Sequence, residues 1–161
     1  MKKIVLTLLL TAVIFACNSK PEGYEIIGDL RGDVENGTQV FLKKIGPNNQ
    51  PVEVDTATVQ NGKFSFTGTQ SIPEMHLLFL DKIQGYTSLI LENGEITYSA
   101  QKDSLGFAEI KGTVQNDFFA DYMEQSRAIA KKAQSISEDM QAADEAKREA
   151  LGDEMGELQE E

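Results

Sequence analysis

A mainly β fold, an antiparallel β-sandwich or partly open barrel of about eight strands followed by a long C-terminal α-helix, is predicted by three features of this 161-residue sequence. From Tyr24 to Gly112, short segments of period-two or continuous apolar character alternate with turn residues, the spacing typical of antiparallel sheet proteins. Asn-Gly occurs three times in that stretch, at Asn36-Gly37, Asn61-Gly62 and Asn93-Gly94, and both residue types tolerate the positive φ of a type I′ turn. From Val114 onward there is no proline and the only glycines are Gly152 and Gly156. Ala, Glu, Gln, Lys and Met, all good helix formers, dominate instead.

The first element is not part of the fold. Met1 to Ala16 has two lysines, an uninterrupted apolar run and a small residue before Cys17, the three-part pattern of a secretory signal peptide. Ile4 to Phe15 would reach about 18 Å as a helix, against a hydrocarbon core of about 30 Å, which is too short for a stable membrane span. Residues 17–23 form a polar tether in which Pro21 and Gly23 discourage regular structure.

Residues 24–112 form the β domain. Its predicted strands are Tyr24 to Leu30, Gln39 to Ile45, Val52 to Val59, Lys63 to Thr67, Met75 to Leu80, Thr87 to Leu91, Glu95 to Ser99 and Phe107 to Lys111. The second and third Asn-Gly pairs have β-formers on both sides, so each predicts a tight hairpin with antiparallel neighbours. Phe64 and Phe66 alternate with Lys63, Ser65 and Thr67, which places both rings on the core face, and Ile96 and Tyr98 alternate likewise. Leu77 to Leu80 and Leu89 to Leu91 are apolar on both faces, as central strands covered on each side would be. No helical crossover separates the strands, which argues against a parallel α/β sheet.

Residues 113–161 form the acidic α-helical segment, one long helix or two. Tyr122, Ile129, Ile136, Ala143 and Ala150 recur every seven residues, with Phe118 and Phe119 at the start. The aromatic first third is expected to pack on the sheet. The alanine-rich remainder suits an exposed helix, or one that binds a protein partner or a second copy of the chain. With 13 acidic and 5 basic residues, the segment carries a solvated charged face.

Composition removes several function classes. Residues 17–161 hold 26 acidic and 13 basic side chains, a net charge of -13. Nucleic acid is therefore not an expected partner, since phosphate neutralisation needs clustered Lys and Arg. Cys17 is the only cysteine, so the chain as given offers no disulfide, Cys-x-x-Cys pair or thiolate metal site.

Ile14-Phe15-Ala16-Cys17 resembles the lipobox of bacterial lipoproteins. That resemblance implies lipidation of Cys17, cleavage before it, and anchoring of the mature chain in a membrane by acyl chains. Asn18 after the cysteine, and the lack of an acidic run in Asn18-Ser19-Lys20-Pro21-Glu22, imply the periplasmic face of the outer membrane. A second resemblance lies in Val54-Asp55-Thr56-Ala57-Thr58-Val59-Gln60-Asn61-Gly62-Lys63-Phe64-Ser65-Phe66-Thr67-Gly68, with Leu89 to Ile96 and Ile110 to Asp117 in support. These are similar to an N-terminal domain of unknown function in thiol-disulfide oxidoreductases of the TlpA/ResA type, especially envelope lipoproteins of Bacteroidota. The catalytic part of that family is a thioredoxin-like domain with a Trp-Cys-x-x-Cys site. This chain has no Trp and no second Cys, so no redox residue carries over. The resemblance implies a non-catalytic, lipid-anchored accessory module whose thioredoxin-like part is missing from the sequence given. The alternative is a free-standing envelope lipoprotein that binds a protein or glycan.

The remaining candidates read as structural. His76 is the only histidine and is expected to be a strand residue rather than a catalyst or ligand. Asp29, Asp33, Glu35 and Asn36 resemble a calcium loop only faintly, because their spacing fails the Asp-x-Asx-x-Asx-Gly pattern. Glu53 with Asp55, and Asp153 with Glu154, read as solvated charges. No catalytic residue, cofactor or metal is expected, and no Gly-rich phosphate loop or nucleophile elbow occurs.

Overall fold

The computed structural model describes residues 22–159, so Cys17 and the signal-like segment lie outside the described residues. Eight strands form two four-stranded sheets that are not closed into a barrel. They are β1 (Tyr24–Arg31), β2 (Gln39–Ile45), β3 (Pro51–Thr58), β4 (Lys63–Gly68), β5 (Glu74–Leu80), β6 (Thr87–Leu91), β7 (Gly94–Gln101) and β8 (Glu109–Lys111). The first sheet has the order β4-β1-β7-β8 and the second β3-β2-β5-β6. A 3₁₀ turn at Leu105–Phe107 precedes β8, and α1 (Val114–Ala142) and α2 (Glu145–Leu158) follow it.

Alternation in the strands supplies the core. Ile26, Phe66, Ile96 and Tyr98 point inward from the first sheet and Val40, Leu42, Leu78 and Leu89 from the second, all buried in one apolar cluster. The outer faces differ. The first sheet presents Glu25, Asp29, Thr97 and Lys63 outward, whereas the second presents Phe41, Lys43, Leu77 and Phe79. Lys43 lies across that face, its Nζ 5.0 Å from the centroids of both Phe41 and Phe79, so its aliphatic stem helps cover Leu77 opposite it.

Three expectations about pairing need correction. β1 and β7 run parallel, from Tyr24 beside Gly94 to Arg31 beside Gln101. Asn61-Gly62 does make the expected turn, with φ of 53° and 75° and reciprocal bonds between Gln60 and Lys63 of 2.8 and 3.0 Å. Its arms then diverge, β3 into one sheet and β4 into the other. The turn fixes a local reversal but not the neighbours of the strands that leave it. At the third pair only Gly94 has positive φ. Asn93 instead accepts the Gln70 amide through Oδ1 at 2.8 Å, and the link crosses between sheets. β6 is consequently an edge strand rather than a central one.

The helical segment divides at Ala143, whose extended backbone ends α1. Asp144 caps α2 by accepting the Lys147 amide at 2.9 Å. Arg148 turns back to the Met140 and Ala143 carbonyls at 3.3 and 2.9 Å, a cation at the negative end of α1. α2 folds back along α1 and buries Ile136 and Leu158, with Lys132 3.8 Å from Glu154. Among the described residues no helix is long and apolar enough to cross a membrane.

Candidate functional site

Two strands at sheet edges, β6 and β8, one from each sheet, are both contacted by α1. An edge strand exposes a row of unpaired N–H and C=O groups. Here Asn116 satisfies part of that row as another strand would: its Nδ2 donates to the Ile90 carbonyl at 2.6 Å and its Oδ1 accepts the Ile90 amide at 2.9 Å. The same amide nitrogen donates to Thr113 Oγ1 at 2.8 Å, and Asn116 is 1% exposed. One residue earlier, the Gln115 amide donates to Glu92 Oε1 at 2.7 Å. At the far end of the contact, Arg127 Nη2 donates to the Gly106 carbonyl at 2.8 Å and its guanidinium lies 5.0 Å over the Phe107 ring. The first fourteen residues of α1, Val114 to Arg127, are thus fixed to the sandwich at both ends.

Between those fixings lies a cleft of 350 Å³. Phe119 and Met123 of α1 form one wall and Tyr86, Ser88 and Ile110 the other. Its floor is held by a buried hydroxyl pair: Thr87 Oγ1 donates to the Leu105 carbonyl at 2.6 Å, which leaves Tyr98 to donate to Thr87 at 3.0 Å. Among the described residues no histidine, cysteine or carboxylate lines the cleft, so what converges here can hold an apolar group or brace the helix but brings no acid–base pair together.

Burial pushes the Tyr98 hydroxyl above its ordinary pKa, with the Thr87 contact a smaller opposing influence. Tyr24 moves the same way, through burial first and the charge of Asp55 second. A raised folded-state value means stability is fully present below the unfolded tyrosine value of about 10 and is lost as pH rises through the folded one. Urea unfolding between about pH 8 and 11 should show a flat profile that falls only above about pH 10. Tyr98→Phe should make that fall shallower; an unchanged fall would assign it to other groups.

The candidates singled out in the sequence are not brought together. Cys17 lies outside the described residues. His76 is buried in β5 with Nδ1 3.1 Å from the Glu74 carbonyl, a strand residue as expected. Asp29 sits near Lys63 at 3.9 Å, the Asp33 carbonyl accepts from Lys102 at 2.9 Å, and Asn36 Oδ1 accepts the Asn61 amide at 2.6 Å. Among the described residues no three His, Cys, Asp or Glu side chains form a group able to hold a metal ion. Glu53 and Asp55 both bond to Thr56, at 2.9 and 2.8 Å. Asp153 is exposed, and Glu154 pairs with Lys132.

The aromatic start of α1 departs from expectation. Phe119 faces the sandwich, but Phe118 and Tyr122 are 72% and 58% exposed. Sequence reasoning also missed Asn116. A polar residue three places into a helix ordinarily reads as solvated, and its buried role depends on which strand edge the helix crosses.

No curated protein matches the chain. The family model for Domain of unknown function (DUF4369) matches residues 24–119, which takes in all eight strands and the start of α1 with Asn116. Since the match spans more than half the chain, the protein belongs to the DUF4369 family.

Proposed function

We propose that this chain is a lipid-anchored, non-catalytic module of the bacterial cell envelope that holds its helical hairpin in a fixed orientation for a thiol-disulfide oxidoreductase. The observation that carries the reading is the lipobox-like Ile14-Phe15-Ala16-Cys17 set just ahead of the family domain, which begins at Tyr24. Seven residues reach at most about 25 Å, so a lipidated Cys17 would keep the sandwich close to the bilayer. The oxidoreductase role rests on the resemblance of Val54 to Gly68 and of the elements after it. The bracing of α1 at Asn116 and Arg127 supports it, because a positioning module needs a helix that cannot swing.

Cys17→Ser expressed in the native envelope should accumulate as unlipidated precursor and leave the membrane fraction, where the unaltered chain should remain. Normal retention would sink the anchor. Intact cells treated with protease should leave the domain uncut if it faces the periplasm. The accessory role requires a Trp-Cys-x-x-Cys thioredoxin-like domain, and the reading frame beyond the codon for Glu161 tests this. A stop there with no such domain downstream would count against it.

A further inference from the structure

One apolar ridge runs the length of α1 on the side turned away from the sandwich, and it is covered for only half of that length. At 100° per residue, Asn116, Phe119, Met123 and Arg127 share the face that meets β6, β8 and the 3₁₀ turn. Val114, Phe118 and Tyr122 lie on the opposite face, spaced i, i+4, i+8, and are 77%, 72% and 58% exposed. Seven-residue steps carry the same ridge from Tyr122 to Ile129 and Ile136. There α2 covers it, burying Ile136 and setting Glu154 against Lys132. The bare half continues an established helix–helix seam, so the geometry of its occupant is that of a helix.

Charge narrows the occupant further. Asp117, Asp121 and Glu124 line one flank of the bare half, and among the described residues none of them is in an ion pair. A second copy of the chain would bring six carboxylates onto one seam, and an anionic lipid surface would meet the same repulsion. We propose that Val114, Phe118 and Tyr122 are the docking site for an amphipathic α-helix of a partner protein, apolar at i and i+4 and carrying lysine or arginine along one flank. This does not depend on the lipid anchor or on the oxidoreductase.

The test uses the full chain in detergent and a fluorescent synthetic amphipathic helix of about 20 residues, leucine on one face and lysine beside it. An otherwise identical peptide with glutamate in place of lysine is the comparison. The lysine peptide should bind and the glutamate peptide should bind at least about tenfold more weakly. Phe118→Ser should weaken the lysine peptide about tenfold. Asp121→Lys combined with Glu124→Lys should lower its affinity and raise that of the glutamate peptide. Both positions are exposed, so an unchanged melting curve confirms folding in each variant. Equal binding of the two peptides, binding indifferent to Phe118→Ser, absence of binding, or a concentration-dependent dimer abolished by Phe118→Ser would each overturn the proposal.

Discussion

Replacing Gly28 by valine should lower the unfolding free energy by about 3 kcal/mol, and the melting temperature by about 10 °C. Gly28 occupies the middle of β1, with Phe64 of β4 opposite it on one side and Tyr98 of β7 on the other. The Phe64 ring leans across the glycine and meets the Tyr98 ring at 5.5 Å, while Phe66 packs edge-on to it at 5.8 Å. A Cβ at position 28 would stand 2.2 Å from two carbons of the Phe64 ring, so the ring must leave. Its departure breaks two aromatic contacts and opens the space between Gly28 and Tyr98. Nothing in the backbone of Gly28 requires glycine, since its φ is not in the left-handed region; the requirement is for room.

A double-mutant cycle isolates that cause. Gly28→Ala introduces the same Cβ with less bulk and should cost most of what valine does. Phe64→Leu alone should destabilise through lost ring contacts. If the ring is what the Cβ strikes, the two together should cost less than their sum by about 1 kcal/mol or more, as expected of residues in contact. Additive costs in urea unfolding would place the strain elsewhere.

Much of the β domain was legible because its signals are local. Gln39–Ile45 and Thr87–Leu91 have the predicted bounds, and Phe64, Phe66, Ile96 and Tyr98 face the core as their alternation implies. What escaped is pairing at a distance. Nothing in Tyr24 to Leu30 distinguishes an antiparallel partner from the parallel one found in β7, about 70 residues away, because a period of two serves any neighbour. The apolar run in β6 suggested a strand covered on both sides and enclosed by others. It is apolar because the core lies on one face and α1 closes its edge. Seven-residue periodicity identified the α1 ridge, but only the tertiary arrangement shows that α2 takes its second half and the sandwich takes the opposite face.

The same dependence on tertiary context makes Asn116 the most consequential polar residue of the helix. Asn116→Ala removes a partner from both the N–H and the C=O of Ile90 and from Thr113 Oγ1. An orphaned buried polar group costs about 1–3 kcal/mol, so the expected loss is about 3 kcal/mol even if water reaches one of them. Leucine should do no better, since it fills the volume but satisfies neither group. Aspartate gives a sharper test. It still accepts the Ile90 amide but sets a carboxylate against the Ile90 carbonyl, which favours its protonated form. Asn116→Asp should therefore recover stability relative to Asn116→Ala as pH falls below about 5, where a carboxylic acid donor is restored. Amide exchange at Ile90 should accelerate in Asn116→Ala and Asn116→Leu, and protease should then cut α1 between 116 and 127 before it cuts the sandwich. Exchange at Ile90 no faster than in the unaltered chain would mean that the Arg127 bond to Gly106 suffices to hold the helix. With Asn116 replaced, the sandwich should remain folded while α1 loses its fixed direction, which separates the stability of the β domain from its capacity to orient what α1 carries.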